Sequence, residues 1–301
     1  MSSDPRITFA IPFYSGVPYL RRAIESVREQ SLQDWVCIVV DDAGAETDTE
    51  AAVASYGDTR IRYVRNQNNL GLAGNWNEAL RISDTPLVTL LHSDDELMPG
   101  YGEAVIAAHV AHPNAVAVFT RASIIDTDSK PVFSFPDRIK RITESLKGSA
   151  ATVSGEQGLN GLLRGQYIFC PTLCYRASRL EPDPFQARWR MVADLEFLAS
   201  TLLRGGEFVG IPEELYAYRR HEESQTALLT ATTERFDEEI EIYGELATHA
   251  EALGWSRAAR TAKTKRIIRL HLMYRIIGDL LHRRLKPARS KRAALKRASH
   301  A

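Results

Sequence analysis

Two pairs of adjacent carboxylates, Asp41-Asp42 and Asp94-Asp95, each close an apolar run of the chain. Neighbouring carboxylates at a strand end repel each other and lose solvation, so a fold tolerates them best where a cation sits between them and a ligand. Mg²⁺ or Mn²⁺ carrying a diphosphate suits Asp94-Asp95, because such ions take few protein carboxylates and fill their other positions with phosphate oxygens and water. A plainer reading stays open for the same pair, a helix N-cap followed by an acid favoured by the helix dipole. Asp42 offers acceptors to a nucleobase imide or a ribose hydroxyl; its plainer reading is a polar strand terminus entering a turn at Gly44. Further along, Ala193-Asp-Leu-Glu196 opens a helical stretch. A carboxylate there can take the proton of an attacking hydroxyl or merely cap the helix, and both Asp194 and Glu196 qualify. His221, in Tyr218-Arg-Arg-His221, can ligate a metal or donate to a phosphate with Arg219 in support, or be simply solvated.

The elements that must position these residues are legible in outline. Ile7-Thr-Phe-Ala-Ile-Pro12 is a short strand stopped by proline, and Leu20, Ile24 and Val27 mark one face of a helix from about Pro18 to Gln30. Trp35 to Asp42 is an unalternating apolar run, as in a parallel strand covered on both faces. A short helix is expected over Glu46–Ser55, a strand over Arg60–Arg65, and a helix capped by Asn75 running to about Ile82. A strand over Pro86–Leu91, a helix over Gly100–His112 and a strand over Ala115–Phe119 complete the series. Strand and helix thus alternate for about 120 residues, which specifies a doubly wound, mostly parallel α/β sheet. Ligands bind such sheets beyond the carboxyl ends of the strands. Tyr14, Asp41-Asp42, Asn68-Asn69 and His92-Ser-Asp-Asp95 are therefore expected on one rim.

The later chain is less regular. Asp126 to Ser129 reads as a turn, Ser134 to Ser149 as a mobile loop, and Ser154-Gly-Glu-Gln157 as a capping box before a helix reaching Arg164. Tyr167–Tyr175 is strand-like, Arg190–Leu203 helical, and Glu207–Tyr218 a set of short strands around Pro212. Two long helices are expected over Thr232–Leu253 and Arg257–Leu285.

Composition bounds the function. The 301 residues are 44% hydrophobic and 25% charged, as in a globular chain with a full core. No uncharged apolar run is long enough to span a bilayer, and no signal-peptide pattern opens the chain. Cys37, Cys170 and Cys174 cannot build a disulfide framework, which points to a reducing, cytoplasmic setting. The formal net charge of +0 conceals an asymmetry: from Arg257 onward there are fifteen Lys/Arg and one acid, Asp279, leaving 23 basic and 37 acidic residues in 1–256. An acidic body of that kind does not bind nucleic acid. The basic, apolar-striped final helix suits packing on its own protein or a second subunit, giving a homodimer, with the tail beyond it solvated. Contact with an anionic membrane face is the alternative.

The ordered set Ile11-Pro-Phe-Tyr14, Tyr19-Leu20, Ser26-Val27, Gln30, Val40-Asp-Asp42, Asn68-Asn-Leu-Gly71, Asn77 and Ser93-Asp-Asp95 resembles the family 2 glycosyltransferases. The resemblance is dense over about 120 residues and thinner to Ser224. It implies an A-type glycosyltransferase fold with a Rossmann-like sheet over residues 1–224 and a helical C-terminal region over 225–301. It further implies an inverting transfer from a nucleoside-diphosphate sugar (UDP or dTDP) with Mn²⁺ or Mg²⁺. The acceptor would be a lipid-linked saccharide, a surface polysaccharide or a small molecule. Pro12, Phe13 and Tyr14 would wall the base and Asp42 would bond it. Asn69, Gly71 and Asn77 would lie in the segment closing over the nucleotide. Ser93 would accompany Asp94, which would face the ribose or sugar. Asp95 and His221 would hold the metal, and Asp194 would be the catalytic base. Two positions depart from the family pattern: His92 stands where an Asp often opens the acidic motif, and Trp76 where many members carry Arg. A non-catalytic nucleotide-sugar-binding protein is the alternative. A sugar nucleotidylyltransferase is disfavoured, because Pro12-Phe-Tyr-Ser-Gly16 is no basic, glycine-rich phosphate loop.

Overall fold

A computed structural model describes residues 6–132, 150–221 and 233–300. The chain divides into two compact units, one of residues up to Val153 with Ile168–Arg188 and Glu207–Arg220, the other of Ser154–Tyr167, Trp189–Gly206 and His221 onward. The second unit thus takes in segments from inside the first 224 residues as well as those after them.

The first unit is built on a nine-stranded sheet. Strand β1 (Ile7–Phe13) pairs in parallel with β2 (Trp35–Asp41), Ile7 opposite Trp35 and Phe13 opposite Asp41. β3 (Ile61–Arg65) lies parallel outside β2, and β4 (Leu87–Leu90) lies parallel on the other edge of β1. The residues of β4 and nearly all of β2 are buried, which is why neither sequence alternates. The second half of the sheet departs from the mostly parallel arrangement. The two-residue β5 (Glu96–Leu97) runs antiparallel to β9 (Glu207–Arg219). β6 (Ala117–Ile125) is parallel to β9 but antiparallel to β8 (Leu173–Arg176), which also pairs antiparallel with β4. The full order is β3-β2-β1-β4-β8-β6-β9-β5, with β7 (Ala151–Ser154) also on β9. Antiparallel pairing needs no crossover helix, so the pairings of β8 with β4 and β6 carry no βαβ signal in the sequence.

Helices α1 (Val17–Arg28), α2 (Thr49–Ala54), α3 (Gly71–Arg81) and α4 (Tyr101–Ala111) follow the strands. Leu20, Ile24 and Val27 of α1 are buried with Phe9, Phe13 and Trp35 in the main core cluster. Three local expectations are corrected. Glu46 precedes α2 instead of opening it, and its carboxylate accepts from the Gly16 and Val17 N–H groups at 3.0 and 3.2 Å, supplying the cap that Gly16 cannot. Asn75 lies inside α3, not at its start; it is buried and donates to the Val40 carbonyl at 3.1 Å. Glu207–Arg219 is one strand, and the bulge opposite Phe119–Arg121 absorbs Pro212, which has no N–H for a regular ladder. The turn at Asp126–Ser129 is present, with the Asp126 side chain accepting from the Asp128 and Lys130 N–H groups. The loop expected over Ser134–Ser149 lies outside the described residues.

The second unit holds helices α5 (Gly155–Arg164), α6 (Ala193–Leu203), α7 (Glu234–Ala252), α8 (Ser256–Thr264), α9 (Arg266–Leu281) and α10 (Leu285–His300). The capping box at Ser154 does not form. Glu156 instead accepts from the N–H groups of Arg257 and Ala258, capping α8. The single helix expected from Arg257 to Leu285 breaks at Lys265 and Arg283, whose φ values of +46° and +56° no α-helix sustains. The tail is not solvated coil: α10 buries Ala288, Ala294 and Ala298, and its Lys291 pairs with Asp279 of α9 at 2.7 Å. Among the described residues no helix is long and apolar enough to cross a membrane.

Candidate functional site

Because β2 and β4 flank β1 in parallel, Asp42 and Asp95 leave the sheet on the same carboxyl-end rim. The two acids of the first pair do different work. Asp41 is fully buried and accepts from the Gly44 N–H at 2.9 Å, the Tyr63 hydroxyl at 2.6 Å and Arg65 Nη1 at 2.6 Å. It thereby pins the turn after β2. At Gly44 a Cβ would lie 2.0 Å from the Tyr14 carbonyl oxygen, so only glycine lets that turn pass against the end of β1. Asp42, 4% exposed, accepts from Asn66 Nδ2 at 3.0 Å, the Leu70 N–H at 2.7 Å and the Gly71 N–H at 2.9 Å. Its charge therefore caps α3 from a neighbouring strand. Three of about four acceptor directions are in use, which leaves one for a ligand. Asn69 Oδ1 accepts from the same Gly71 N–H at 2.8 Å, and Gly71 takes the left-handed conformation, φ +73°.

At the end of β1 the three residues expected to wall a base separate. Phe13 is 1% exposed and belongs to the core, so it is corrected from a ligand wall to a packing residue. Strand alternation turns it inward and leaves Pro12 partly open, while Tyr14, beyond the strand end, is 51% exposed. Asn77 is likewise engaged with its own protein, donating to the Phe185 carbonyl at 2.8 Å and accepting from the Phe185 N–H at 3.0 Å.

The second acid pair is the centre of the rim. His92, Asp94 and Asp95 each bring a ligand-type atom within 4.8 Å of the others, and His92 Nδ1 lies 3.9 Å from Asp95 Oδ2. With bonds of about 2.1 Å, two donors on one divalent ion lie roughly 3 to 4.2 Å apart, a range that includes the 3.9 Å between His92 and Asp95. Asp95 is fully buried; its Oδ1 accepts from the Arg219 N–H at 2.7 Å and its Oδ2 from the Tyr216 hydroxyl at 2.9 Å. Burial, and then the charge of Asp94, push its carboxyl well above the usual range, against the pull of the Arg219 and Tyr216 bonds and the Arg219 charge. A cation beside the pair would favour the ionised form. Ser93 and Asp94 are half-buried.

Arg219, read from the sequence as a support for His221, also serves the acids. It is 1% exposed, and its guanidinium bonds the carbonyls of Asp94 and Asp126, the Ser129 hydroxyl and the Glu96 carboxylate. One buried side chain thus fixes the backbone of the acidic segment and neutralises Glu96. Its role was hidden because β9 reaches this segment only through the sheet. The two departures from the family pattern also meet: the Trp76 ring stacks on His92, centroids 5.3 Å apart and planes 29° apart, with Phe185 edge-on to Trp76 at 5.0 Å. Burial lowers the His92 pKa against the pull of Asp94, which favours the neutral ring that a metal ligand requires.

In the helical unit Asp194 is half-buried at the start of α6, where Oδ2 accepts from Gln166 Nε2 at 2.5 Å and Oδ1 from the Leu195 N–H at 2.7 Å. Burial raises its pKa against these bonds. Glu196 is only 8% exposed. His221 is half-buried.

Known proteins share this organisation. Residues 8–155 match the model of glycosyl transferase family 2, about half the chain. A GalNAc(5)-diNAcBac-PP-undecaprenol beta-1,3-glucosyltransferase of Campylobacter jejuni is 35% identical over 99 residues, 32% of this chain and 32% of its own length. The putative glycosyltransferase EpsE of Bacillus subtilis is 25% identical over 247 residues, covering 81% of this chain and 82% of its own. The chain spans only 14 to 36% of the length of several relatives that it matches. The crystal structure of S. aureus TarS 1-349 in complex with UDP-GlcNAc shares the fold, with TM-score 0.62 at 15% identity over 86% of this chain and 72% of that one. The sheet, the rim of strand-end acids and these matches together place the chain in glycosyltransferase family 2, carrying the domain of a glycosyltransferase.

Proposed function

We propose that the protein is an inverting, metal-dependent glycosyltransferase that takes its sugar from a UDP or dTDP donor. The observation that carries this reading is the His92–Asp94–Asp95 group at the end of β4, locked from behind by Arg219 and Tyr216. Asp95, Asp94 and His92 would hold Mn²⁺ or Mg²⁺, with His221 a further candidate. Such an ion, when bound, supplies Lewis-acid stabilisation of a departing diphosphate.

The chain's own groups do the rest. Tyr14 and Pro12 offer open surface to a base, and Asp42 keeps one acceptor direction for it while holding Leu70 and Gly71 in place. Asp94 faces the ribose or sugar. Asp194 takes the proton of the acceptor hydroxyl as that oxygen bonds the anomeric carbon and the carbon–diphosphate bond breaks, the electron pair leaving on the diphosphate. Attack opposite the leaving group inverts the anomeric centre. The raised pKa of Asp194 suits a base, and its greater openness favours it over Glu196. A UDP-GlcNAc complex of a protein with the same fold supports a UDP donor. A relative named for an undecaprenol-linked acceptor supports a lipid-linked one.

The stack of Trp76 on His92 favours a second reading, a nucleotide-sugar-binding protein without turnover, because it fills the two positions where the family pattern is broken. Thermal unfolding with a panel of nucleotide sugars, with and without Mn²⁺, tests the first. A true donor at a hundred times its Kd stabilises by about 2.7 kcal/mol through mass action, and more with metal. No shift with any UDP or dTDP compound overturns the assignment. A shift without donor hydrolysis or transfer selects the second reading.

A further inference from the structure

Helix α9 is apolar on two opposite sides. Ile268, Leu272 and Ile276 are buried within the helical unit. On the other side Ile267, Leu270, Tyr274, Ile277 and Leu281 recur at three- and four-residue spacing and are 39, 57, 70, 58 and 78% exposed. The stripe legible in the sequence is thus divided: packing accounts for one face and leaves the larger one open. A continuous exposed apolar patch marks a contact surface.

Charge identifies what covers it. Arg266 and Arg269 at one end of the row, and Arg283, Arg284 and Lys286 at the other, are all exposed. Asp279, the only acid after Arg257, is buried against Lys291. A two-fold dimer through this row would present the same patch from both sides, setting basic ends against basic ends with no acid of α9 or α10 free to pair with them. An anionic bilayer supplies both missing complements, acyl chains for the row and phosphates for the guanidinium groups. We infer that α9 lies in the headgroup–acyl boundary of an anionic phospholipid bilayer, exposed row inward, and attaches the protein to that surface without crossing it. This attachment is independent of the transferase reading, and it is measured by lipid binding without turnover.

The test is co-sedimentation of the full chain with vesicles of phosphatidylcholine alone or with about 30% phosphatidylglycerol, at about 0.1 M and about 1 M NaCl. Binding to the anionic vesicles is expected to be roughly a hundredfold tighter than to the neutral ones, and to weaken in high salt. Ile277→Glu with Leu281→Glu, and separately Arg283→Gln with Arg284→Gln, should each weaken it roughly tenfold or more. These positions are exposed, so circular dichroism should be unchanged. Absence of binding to anionic vesicles, or binding that neither variant affects, overturns the inference. So does a dimer in sedimentation velocity, formed without lipid and abolished by Ile277→Glu with Leu281→Glu.

Discussion

Asp194 carries opposed demands within one carboxyl group. Burial holds its folded-state pKa above the ordinary carboxylate value, against the bonds from Leu195 and Gln166. The folded chain then binds the proton more tightly than the unfolded one, so stability falls as pH rises from the unfolded pKa through the folded one. At about pH 7 the ionised side chain is a net cost to the fold. Asp194→Asn is therefore expected to unfold at the same or a higher temperature than the parent at about pH 7, with the difference closing toward about pH 3. Transfer should meanwhile fall by about 10²- to 10⁴-fold. Calorimetry over that pH range beside a donor-consumption assay checks both; an active Asp194→Asn enzyme moves the base to Glu196. The acids were legible as residue types in order along the chain. Their division of labour was not: Asp41 and Asp42 differ by one position, yet one serves a turn and the other caps a distant helix.

Among the elements, α9 and α10 depend on a buried ion pair. Lys291 is 2% exposed and Asp279 8%, with 2.7 Å between them. Removing one partner strands the other charge in an apolar setting, whereas replacing both avoids that desolvation. Lys291→Met is expected to destabilise the chain by about 3 kcal/mol or more, and Asp279→Leu with Lys291→Met to recover most of the loss. Urea unfolding of the three chains measures it; equal stability of parent and Lys291→Met would show that the pair is solvated. Element identity was legible wherever apolar residues kept a period, as in α1 and β2. It failed at breaks without glycine or proline, such as Lys265, where a buried residue takes the left-handed conformation that local preference opposes.

For the molecule as a whole, the nucleotide site is expected to be a property of the sheet unit's rim. Hydrogen exchange with UDP and Mn²⁺ should slow in peptides covering Pro12–Gly16, Asn66–Leu72 and His92–Leu97, because ligand bridging these loops raises the free energy of their local opening. Protection confined to α7–α10 would remove the proposed site from the sheet. The distribution of charge belongs to this scale too: the acids of residues 1–256 and the bases from Arg257 onward cancel in the net figure, and some of them meet directly, as Arg297 with Asp237 and Lys263 with Glu251.

The sequence by itself determined the α/β class, the strand ends that carry polar residues and the family to which their order belongs. Each of these depends on local period or on residue type at fixed separation. Tertiary structure alone decided the mixed half of the sheet, the burial of Phe13, the meeting of Trp76 with His92 and the clamp of Arg219 on Asp94–Glu96. Each joins residues separated by many positions, and no neighbour in the chain reports which partner burial will select.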